Sequence, residues 1–250
     1  MCLILFAWQT HHKYKLILGA NRDEFLARST QRMHIWESPT QIVAGKDLER
    51  GGTWLGINHQ KQFSALTNFR EPLPMPIPNQ PSRGDLVTGC LSGSHPRGYL
   101  EAISPKASEY GGFNLLAGDA QSLYHFSNRE GEINEVPPGI HGLSNALLNT
   151  NWPKVEAGKL ALGQLVAQSG VEPEKIFELL KNDAQAPEAD LPQTGVSLEW
   201  EKRLSPLFIQ AGNYGTRCST VILWNYNDQI SIMERTYDLV QPKTEAFHIA

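Results

Sequence analysis

The chain has 250 residues, of which 40% are hydrophobic and 19% are charged, and its net charge is −4 with a pI near 6.1. This composition is typical of a globular protein. The sequence contains no Lys/Arg-rich run, which argues against a nucleic-acid or anionic-membrane surface because phosphate binding needs a concentrated basic patch. No apolar stretch reaches the roughly 18 to 20 residues of a membrane-spanning helix. We therefore expect neither a nucleic-acid partner nor an integral membrane segment.

The three cysteines, Cys2, Cys90 and Cys218, are too far apart to form a CxxC pair. Their odd number and spacing argue against a disulfide framework and against a structural zinc site. We therefore expect a reducing, cytoplasmic location, no metal site and no required cofactor. The cysteine pattern does not indicate an oligomeric state.

The first 24 residues predict a β-hairpin, around which we expect the remaining chain to be organised. Apolar residues 2–8 form the first strand, polar residues 9–13 form the turn, and residues 14–20 form the second strand. The second strand ends in the polar cluster Asn21-Arg22-Asp23-Glu24. Because antiparallel strands of similar length bring the end of the second beside the start of the first, this cluster is expected close to Cys2.

Cys2 is a candidate nucleophile if Met1 is removed, and this removal is common for a cytosolic chain that begins Met-Cys. The residue would then hold a thiol, with a pKa of about 8.5, and an α-amine, with a pKa of about 7.7 to 8.0, that can accept the thiol proton. Asp23 could hold the amine, and Arg or Asn side chains could stabilise an oxyanion. The alternative is that Cys2 is a small core residue, which is commoner for a cysteine in an apolar strand.

The rest of the chain predicts strands first and last, with helices in two middle blocks. Residues 24–38 are expected to be irregular, 51–69 to form a second hairpin, and the five prolines of 71–81 to make a surface loop. The other predicted elements are helices after 82–85, over 97–103, from 151 to about 168 and from 172 to about 182, and strands over 41–45, 113–117, 123–127, 133–136, 217–224 and 229–236.

Segregated strands and helices predict an α+β fold with antiparallel sheets, because parallel sheets need a helix between successive strands. The strands cover too many residues for one narrow sheet. Two sheets packed face to face, with helices on the outer faces, would bury them. We therefore expect a single domain, 1–250, built as a four-layer αββα sandwich.

Five segments, in the same order as in the family, resemble the NRDE family, also called the transport and Golgi organisation 2 family. The resemblance spans nearly the whole chain. The segments are Asn21-Arg22-Asp23-Glu24 after the Met-Cys hairpin, Gly51-Gly52-Thr53-Trp54-Leu55-Gly56, Thr67-Asn68, Leu143-Ser144-Asn145, and the run from Tyr214 to Val221.

The pattern also resembles, more distantly, the N-terminal-cysteine branch of the N-terminal nucleophile hydrolases, whose fold is the αββα sandwich. This resemblance implies that Cys2 is the nucleophile and that Asp23 holds its amine. It assigns Asn68 to the oxyanion hole and Asn145 and Arg217 to the catalytic set. The sequence departs from the pattern at Ala20, where those enzymes have an arginine, and Arg22 is the nearest charge that could replace it.

Two functions follow from the resemblance. The first is a cysteine hydrolase or acyl transferase that acts on an amide or thioester. The second is a haem carrier that uses the same cleft without a reaction, with haem as cargo and not as cofactor; the sequence has no haem-attachment motif. In either case the partner is a small-molecule ligand or haem. Its binding residues are predicted to be Asn21, Arg22, Glu24 and Trp54.

Overall fold

The computed structural model describes residues 2–37, 40–71, 80–93, 95–168, 170–237 and 242–250, and for Cys2 it describes the backbone. In these ranges the strands form two antiparallel sheets. The strands are β1 (Cys2–Trp8), β2 (Tyr14–Phe25), β3 (Thr30–Ile35), β4 (Val43–Asp47), β5 (Leu55–Ile57), β6 (Phe63–Asn68), β7 (Phe113–Gly118), β8 (Leu123–Ser127), β9 (Ile133–Glu135), β10 (Gly139–Leu143), β11 (Gln210–Ala211), β12 (Tyr214–Asn225), β13 (Ile230–Thr236) and β14 (Lys243–Ile249).

The first sheet has the order β10-β1-β2-β12-β13-β14, with β11 paired to β12, and the second has the order β3-β4-β5-β6-β7-β8-β9. Two helices contact each sheet on its outer face, which gives the predicted four-layer αββα sandwich. The helices are α1 (Gly84–Cys90), α2 (Pro96–Ile103), α3 (Pro153–Val166), α4 (Pro173–Leu180) and α5 (Leu198–Arg203). Helices α1 and α2 cover the second sheet, and α3 and α4 cover the first.

Both faces of β1 are buried, which explains its unbroken apolar sequence. Successive side chains of a strand point to opposite faces. Ile4 and Phe6 accordingly join the cluster between the two sheets, whereas Leu3 and Leu5 pack in the cluster beneath α3 and α4. Burying each side chain of this size contributes about 1.5 to 3 kcal/mol, so the central strands are anchored from both sides.

The two predicted hairpins and the four predicted helices are confirmed, but the predicted irregular segment 24–38 is wrong. It contains the end of β2 and all of β3, which pairs with β4. The polar residues of β3 concealed it, because an edge strand buries little of its surface. Strands β10 and β14 and helix α5 were also not predicted. Most of the proline-rich loop 71–81 lies outside the described residues.

Strand β2 is longer than predicted and contains the whole Asn21–Glu24 cluster, because β12 pairs with it as far as Phe25. No helix within the described ranges is long and apolar enough to span a membrane.

Candidate active site

The register of β1 against β2 aligns the Cα atoms of Cys2 and Arg22 as direct partners. Directly opposite residues of antiparallel strands share a face, with Cβ atoms about 4.5 to 5.5 Å apart. Arg22 faces the other sheet, since its guanidinium lies 4.1 Å above the ring of Trp54 and its Nη1 donates to Thr30 Oγ1 at 3.1 Å. The N-terminal strand therefore begins beside a guanidinium that lies between the two sheets.

Asn21 points to the opposite face and has a structural set of partners. Its Nδ2 donates to the carbonyls of Leu180 and Leu207 at 2.9 and 2.8 Å, and its Oδ1 accepts from Ser219 Oγ at 2.5 Å. The side chain is fully buried under the helix layer. The structure thus places this predicted ligand-binding residue away from Arg22, where it joins β2 to the end of α4.

Asp23 is buried, and its Oδ1 accepts a hydrogen bond from Thr216 Oγ1 at 2.7 Å. Burial raises the pKa of this carboxyl, because the charged form loses its hydration, and nearby Lys154, the Thr216 bond and Arg70 oppose the rise. A positive group placed beside Asp23 would favour the ionised form for the same reason. An α-ammonium is such a group.

A cleft of about 480 Å³ opens at this end of the sandwich. Five of the predicted site residues line it, namely Arg22, Asp23, Glu24, Trp54 and Asn68. The cleft wall is strongly charged.

Ion pairs hold the outer wall of the cleft in place. Arg28 Nε lies 2.7 Å from Asp47 Oδ2 and 3.8 Å from Glu24 Oε2. Glu24 also accepts a hydrogen bond from the backbone N–H of Phe25. The carboxylate of Glu24 is thus oriented by Arg28 at the rim, and both side chains retain some exposure to solvent.

Two backbone segments approach each other closely at Gly52, on the other side of the cleft. A Cβ on Gly52 would lie 2.4 Å from the carbonyl carbon of Gly84, so the two chain segments pack too closely for any side chain there. Trp54 follows directly and stacks on Arg22. The glycine pair therefore sets the position of the cleft wall that carries Trp54.

Asn68 and Asn145 come from different sheets and meet at the cleft. Asn68 ends β6, and Asn145 follows β10, which pairs with β1. Nδ2 of Asn145 donates to the backbone carbonyl of Asn68 at 2.7 Å. Asn145 is fully buried, while Asn68 is partly exposed and lines the cleft. The amide of Asn145 thus fixes the backbone that carries Asn68.

Arg217 lies at a β-bulge, where the register of β12 shifts between Thr216 and Cys218. Its Nη1 donates to the carbonyls of Phe25 and Arg28 at 3.0 and 2.9 Å, so it holds the turn that follows β2. Arg217 does not line the cleft; it lines a smaller cavity behind Arg22. Its predicted role is the one that the geometry connects least directly with Cys2.

Four residues near the site were not predicted from the sequence. Lys154 and the side chain of Arg70 are buried cations whose charges act on Asp23, and Thr216 is the hydroxyl donor to Asp23. Glu201 pairs with Arg70 at 2.9 Å. Of these four, only Thr216 lies in one of the segments that resemble the family, the run from Tyr214 to Val221. Lys154 and Arg70 resembled ordinary surface residues, because a basic residue in a helix start or a strand end is usually solvated.

No group of three or more His, Cys, Asp or Glu side chains in the described ranges is arranged to hold a metal ion. The histidines also lie elsewhere: none is among the described residues that line the cleft.

Comparisons with known proteins agree on family and fold. The sequence matches the family described as Transport and Golgi organisation 2 over residues 1–239. It is 33% identical to the Mus musculus Transport and Golgi organization 2 homolog, over 94% of this chain and 93% of that protein. It is also 33% identical to the Homo sapiens homolog, with the same coverage of both chains.

Among solved structures, the chain resembles a Caenorhabditis elegans N-acylethanolamine-hydrolyzing acid amidase ortholog. The TM-score is 0.53 at 11% sequence identity, and the match covers 89% of this chain and 92% of that chain. At this identity the likeness concerns the fold alone, which is that of the N-terminal nucleophile hydrolases.

Proposed function

The chain belongs to the Transport and Golgi organisation 2 family, and we propose that it is an N-terminal cysteine hydrolase or acyl transferase acting on an amide or a thioester. The observation that carries the proposal is the register that pairs Cys2 with Arg22, with Asp23 next along β2 at the edge of the cleft. One end of the sandwich then contains the proposed nucleophile, a carboxylate for its α-amine and an open cavity for a substrate.

In the proposed reaction, removal of Met1 gives Cys2 a free α-amine, which takes the thiol proton as the sulfur attacks the acyl carbon. Asp23 stabilises the ammonium that forms, because a buried carboxylate interacts strongly with a cation at short range. The tetrahedral intermediate collapses when the ammonium returns its proton to the leaving amine or thiolate. The acyl group remains on the sulfur of Cys2 as a thioester.

The second half of the reaction releases the acyl group. Water, or another acceptor in the case of transfer, attacks the thioester carbon and gives its proton to the α-amine, and the thiolate of Cys2 leaves and is reprotonated. Asn68 lines the cleft and is the proposed donor to the oxyanion in both halves. Asn145 acts through Asn68, whose backbone carbonyl it holds.

Mass spectrometry of protein purified from cells tests the proposal. Intact mass reads whether Met1 is removed. Incubation with octanoyl-N-acetylcysteamine, followed by acid quenching and peptide mapping, should find an octanoyl group on the Cys2 peptide. Cys2→Ala should abolish both the adduct and thioester hydrolysis, whereas Cys90→Ala, which changes a cysteine buried in another cluster, should keep both. Undiminished hydrolysis by Cys2→Ala would rule out Cys2 as nucleophile.

A second proposal is that the same cleft carries haem without a reaction. The observation that favours it is the set of arginines in the cleft wall, because guanidinium groups bind carboxylates such as haem propionates. These are Arg22, Arg28, Arg50 and Arg83. None of the described residues that line the cleft is a histidine. The cleft arginines would therefore bind the propionates, and no histidine there would bind the iron. Binding would be non-covalent.

Haem titration followed by denaturing extraction tests this second proposal. All pigment should leave the unfolded chain, and Arg50→Gln should weaken binding while Cys2→Ala leaves it unchanged. Pigment that stays with the unfolded chain, or affinity that is unaffected by the loss of the cleft arginines, would contradict haem binding in this cleft.

A further inference from the structure

Arg22 is a buried cation in the cleft that forms no ion pair with any described carboxylate. The residue is 5% exposed, and its guanidinium contacts the Thr30 hydroxyl and the ring of Trp54. A buried guanidinium has five N–H donors and loses its hydration, so it is costly without a negative partner. Arg22 nevertheless borders the open cleft, from which a partner could reach it.

The carboxyl groups around Arg22 are bound to other donors. Glu234, which lines the small cavity behind Arg22, accepts the backbone N–H of Met33 at 2.8 Å and the thiol of Cys218 at 3.4 Å. Asp23 is the next residue of β2, and its carboxyl is bound to Thr216. None of these groups neutralises Arg22 by direct contact.

The carboxylates at the rim of the cleft already form ion pairs with another arginine. Arg28 holds Asp47 at 2.7 Å and lies 3.6 Å from Glu49. These pairs lie at the rim, where solvent screens them, while Arg22 lies deeper in the protein. Arg22 thus differs from the rim arginine Arg28 because no described carboxylate lies within ion-pair distance of it, and Glu234 acts on its charge only from farther away.

The guanidinium of Arg22 is oriented for a ligand. Stacking on Trp54 at 4.1 Å fixes its plane, and the bond from Nη1 to Thr30 fixes its rotation. An arginine held in one orientation can bind a carboxylate through two parallel hydrogen bonds with little further loss of entropy.

We propose that Arg22 binds a carboxylate of the substrate beside Cys2, so that the preferred substrates are acyl compounds with a carboxylate a few bonds from the reacting carbonyl. N-acyl amino acids are the simplest amides of this class. The proposal rests on the proposed function, because it takes Cys2 as the attacking group. The strand register supports the short spacing, since Cys2 and Arg22 are direct cross-strand partners.

Two alkylating agents that differ in charge test the carboxylate preference at Cys2. Iodoacetate carries a carboxylate and iodoacetamide a neutral amide, and both react with a thiolate. We expect the ratio of the iodoacetate rate to the iodoacetamide rate at Cys2 to exceed that of free cysteine by about tenfold, the effect of one charge-assisted hydrogen-bonded pair. Arg22→Gln should return the ratio to the free-cysteine value, and Arg22→Lys should give an intermediate ratio.

Arg97→Gln is the control, because Arg97 is an exposed arginine of α2 that pairs with Glu101 at 2.9 Å and does not line the cleft. It should keep the wild-type ratio. A ratio equal to that of free cysteine in the wild type, or a high ratio that survives Arg22→Gln in folded protein, would overturn the proposal.

A binding measurement separates this inference from the reaction itself. Calorimetric titration of Cys2→Ser with N-acetylglycine and its neutral analogue N-acetylglycinamide should show about tenfold tighter binding of the carboxylate, and Arg22→Gln should remove the difference. Equal affinities, or no binding of either compound at millimolar concentration, would refute a carboxylate site at Arg22. If Cys2 is inert to both alkylating agents while the carboxylate binds through Arg22, the nucleophile proposal fails and the anion site stands.

Discussion

The side-chain amide of Asn145 donates a hydrogen bond to the backbone carbonyl of Asn68, with 2.7 Å between Nδ2 and O. The contact joins the segment after β10 in one sheet to the last residue of β6 in the other. The neighbouring backbone continues the link, because the N–H of Arg70 donates to the carbonyl of Asn145 at 2.7 Å. The two sheets are thus fixed to each other at the end that carries the cleft.

Asn145→Ala should lower the free energy of unfolding by about 1 to 3 kcal/mol, because it removes the buried amide that donates to the partly buried carbonyl of Asn68. Urea denaturation measures the change. Asn134→Ala is the control: Asn134 is exposed on β9 and has one long contact, 3.5 Å to Glu130. It should change stability by less than about 0.5 kcal/mol. Equal effects of the two substitutions would show that the link between the sheets is unimportant.

Cys2 should react with iodoacetamide near pH 7 before the other two cysteines. Burial raises the pKa of the Cys90 thiol to about 12, so its thiolate is scarce, and Cys218 is buried against Glu234. Asp23→Asn should slow labelling of Cys2, because the α-amine loses its carboxylate, without unfolding the protein.

Peptide mass spectrometry over a time course measures the labelling of each cysteine, with circular dichroism as the check on folding. Asp183→Asn, at an exposed position after α4, should label like the wild type. Similar rates for all three cysteines in folded protein would favour the carrier proposal over the hydrolase.

Glu201→Gln should destabilise the protein by about 3 kcal/mol, because it leaves the buried guanidinium of Arg70 without its counter-charge. The side chains of this pair are 8% and 5% exposed, and Nη1 lies 2.9 Å from Oε2. The combined change Arg70→Met with Glu201→Leu should recover most of the loss. Glu199→Gln, which breaks an exposed pair with Arg203 on the same helix, should cost under about 0.5 kcal/mol. Urea denaturation that ranks Glu199→Gln level with Glu201→Gln would contradict this assignment.

The stability of the protein should decrease below pH 6.5, in part because of His125. Burial lowers the pKa of His125 from 6.5 to about 4, so the imidazole is neutral in the folded protein at pH 5 while the unfolded chain is protonated. The unfolded state then binds more protons, and the free energy of unfolding falls as pH falls through this window.

Between pH 7.5 and 5, this one residue should account for about 2 kcal/mol of the decrease. Denaturation of the wild type and His125→Gln at both pH values isolates the effect, since every carboxylate is shared by the two proteins. An equal decrease in the two proteins would show that His125 is not the group that titrates.

Gly52→Ala should destabilise the protein by more than about 1 kcal/mol, because the new methyl group would overlap the backbone of Gly84. Gly163→Ala is the opposite case. It lies inside α3 with open space where its Cβ would be, so alanine should stabilise the helix by about 0.5 to 1 kcal/mol. Thermal unfolding of both variants should show shifts of opposite sign.

The sequence predicted the parts of the fold that follow local rules. The hairpin of β1 and β2 is visible because two apolar runs flank a polar turn, and α3 is visible because Pro153 begins it. Strand β14 was missed because its exposed residues give no core pattern, and its pairing with β13 depends on distant sequence.

The site residues that lie on β2 could be predicted from the sequence, whereas the contacts between different layers of the sandwich could not. Arg22 and Asp23 follow Asn21 on β2, so their place near Cys2 could be derived from pairing alone. The bond between Asn145 and Asn68 could not be derived, because it depends on how the two sheets stack. The buried charge of Lys154 likewise depends on the packing of α3 over the first sheet.

Asn21 and Arg22 point to opposite faces of the sheet, so their roles depend on the register of β2 against β1 as well as on their identity. A one-residue insertion that shifted β2 against β1 would turn the guanidinium under α4 and the amide toward Trp54, since strand side chains alternate. Such a variant would keep every residue of the motif and exchange its chemistry between the two faces of the sheet. Insertions and deletions in β2 are therefore expected to abolish function at positions where single substitutions are mild.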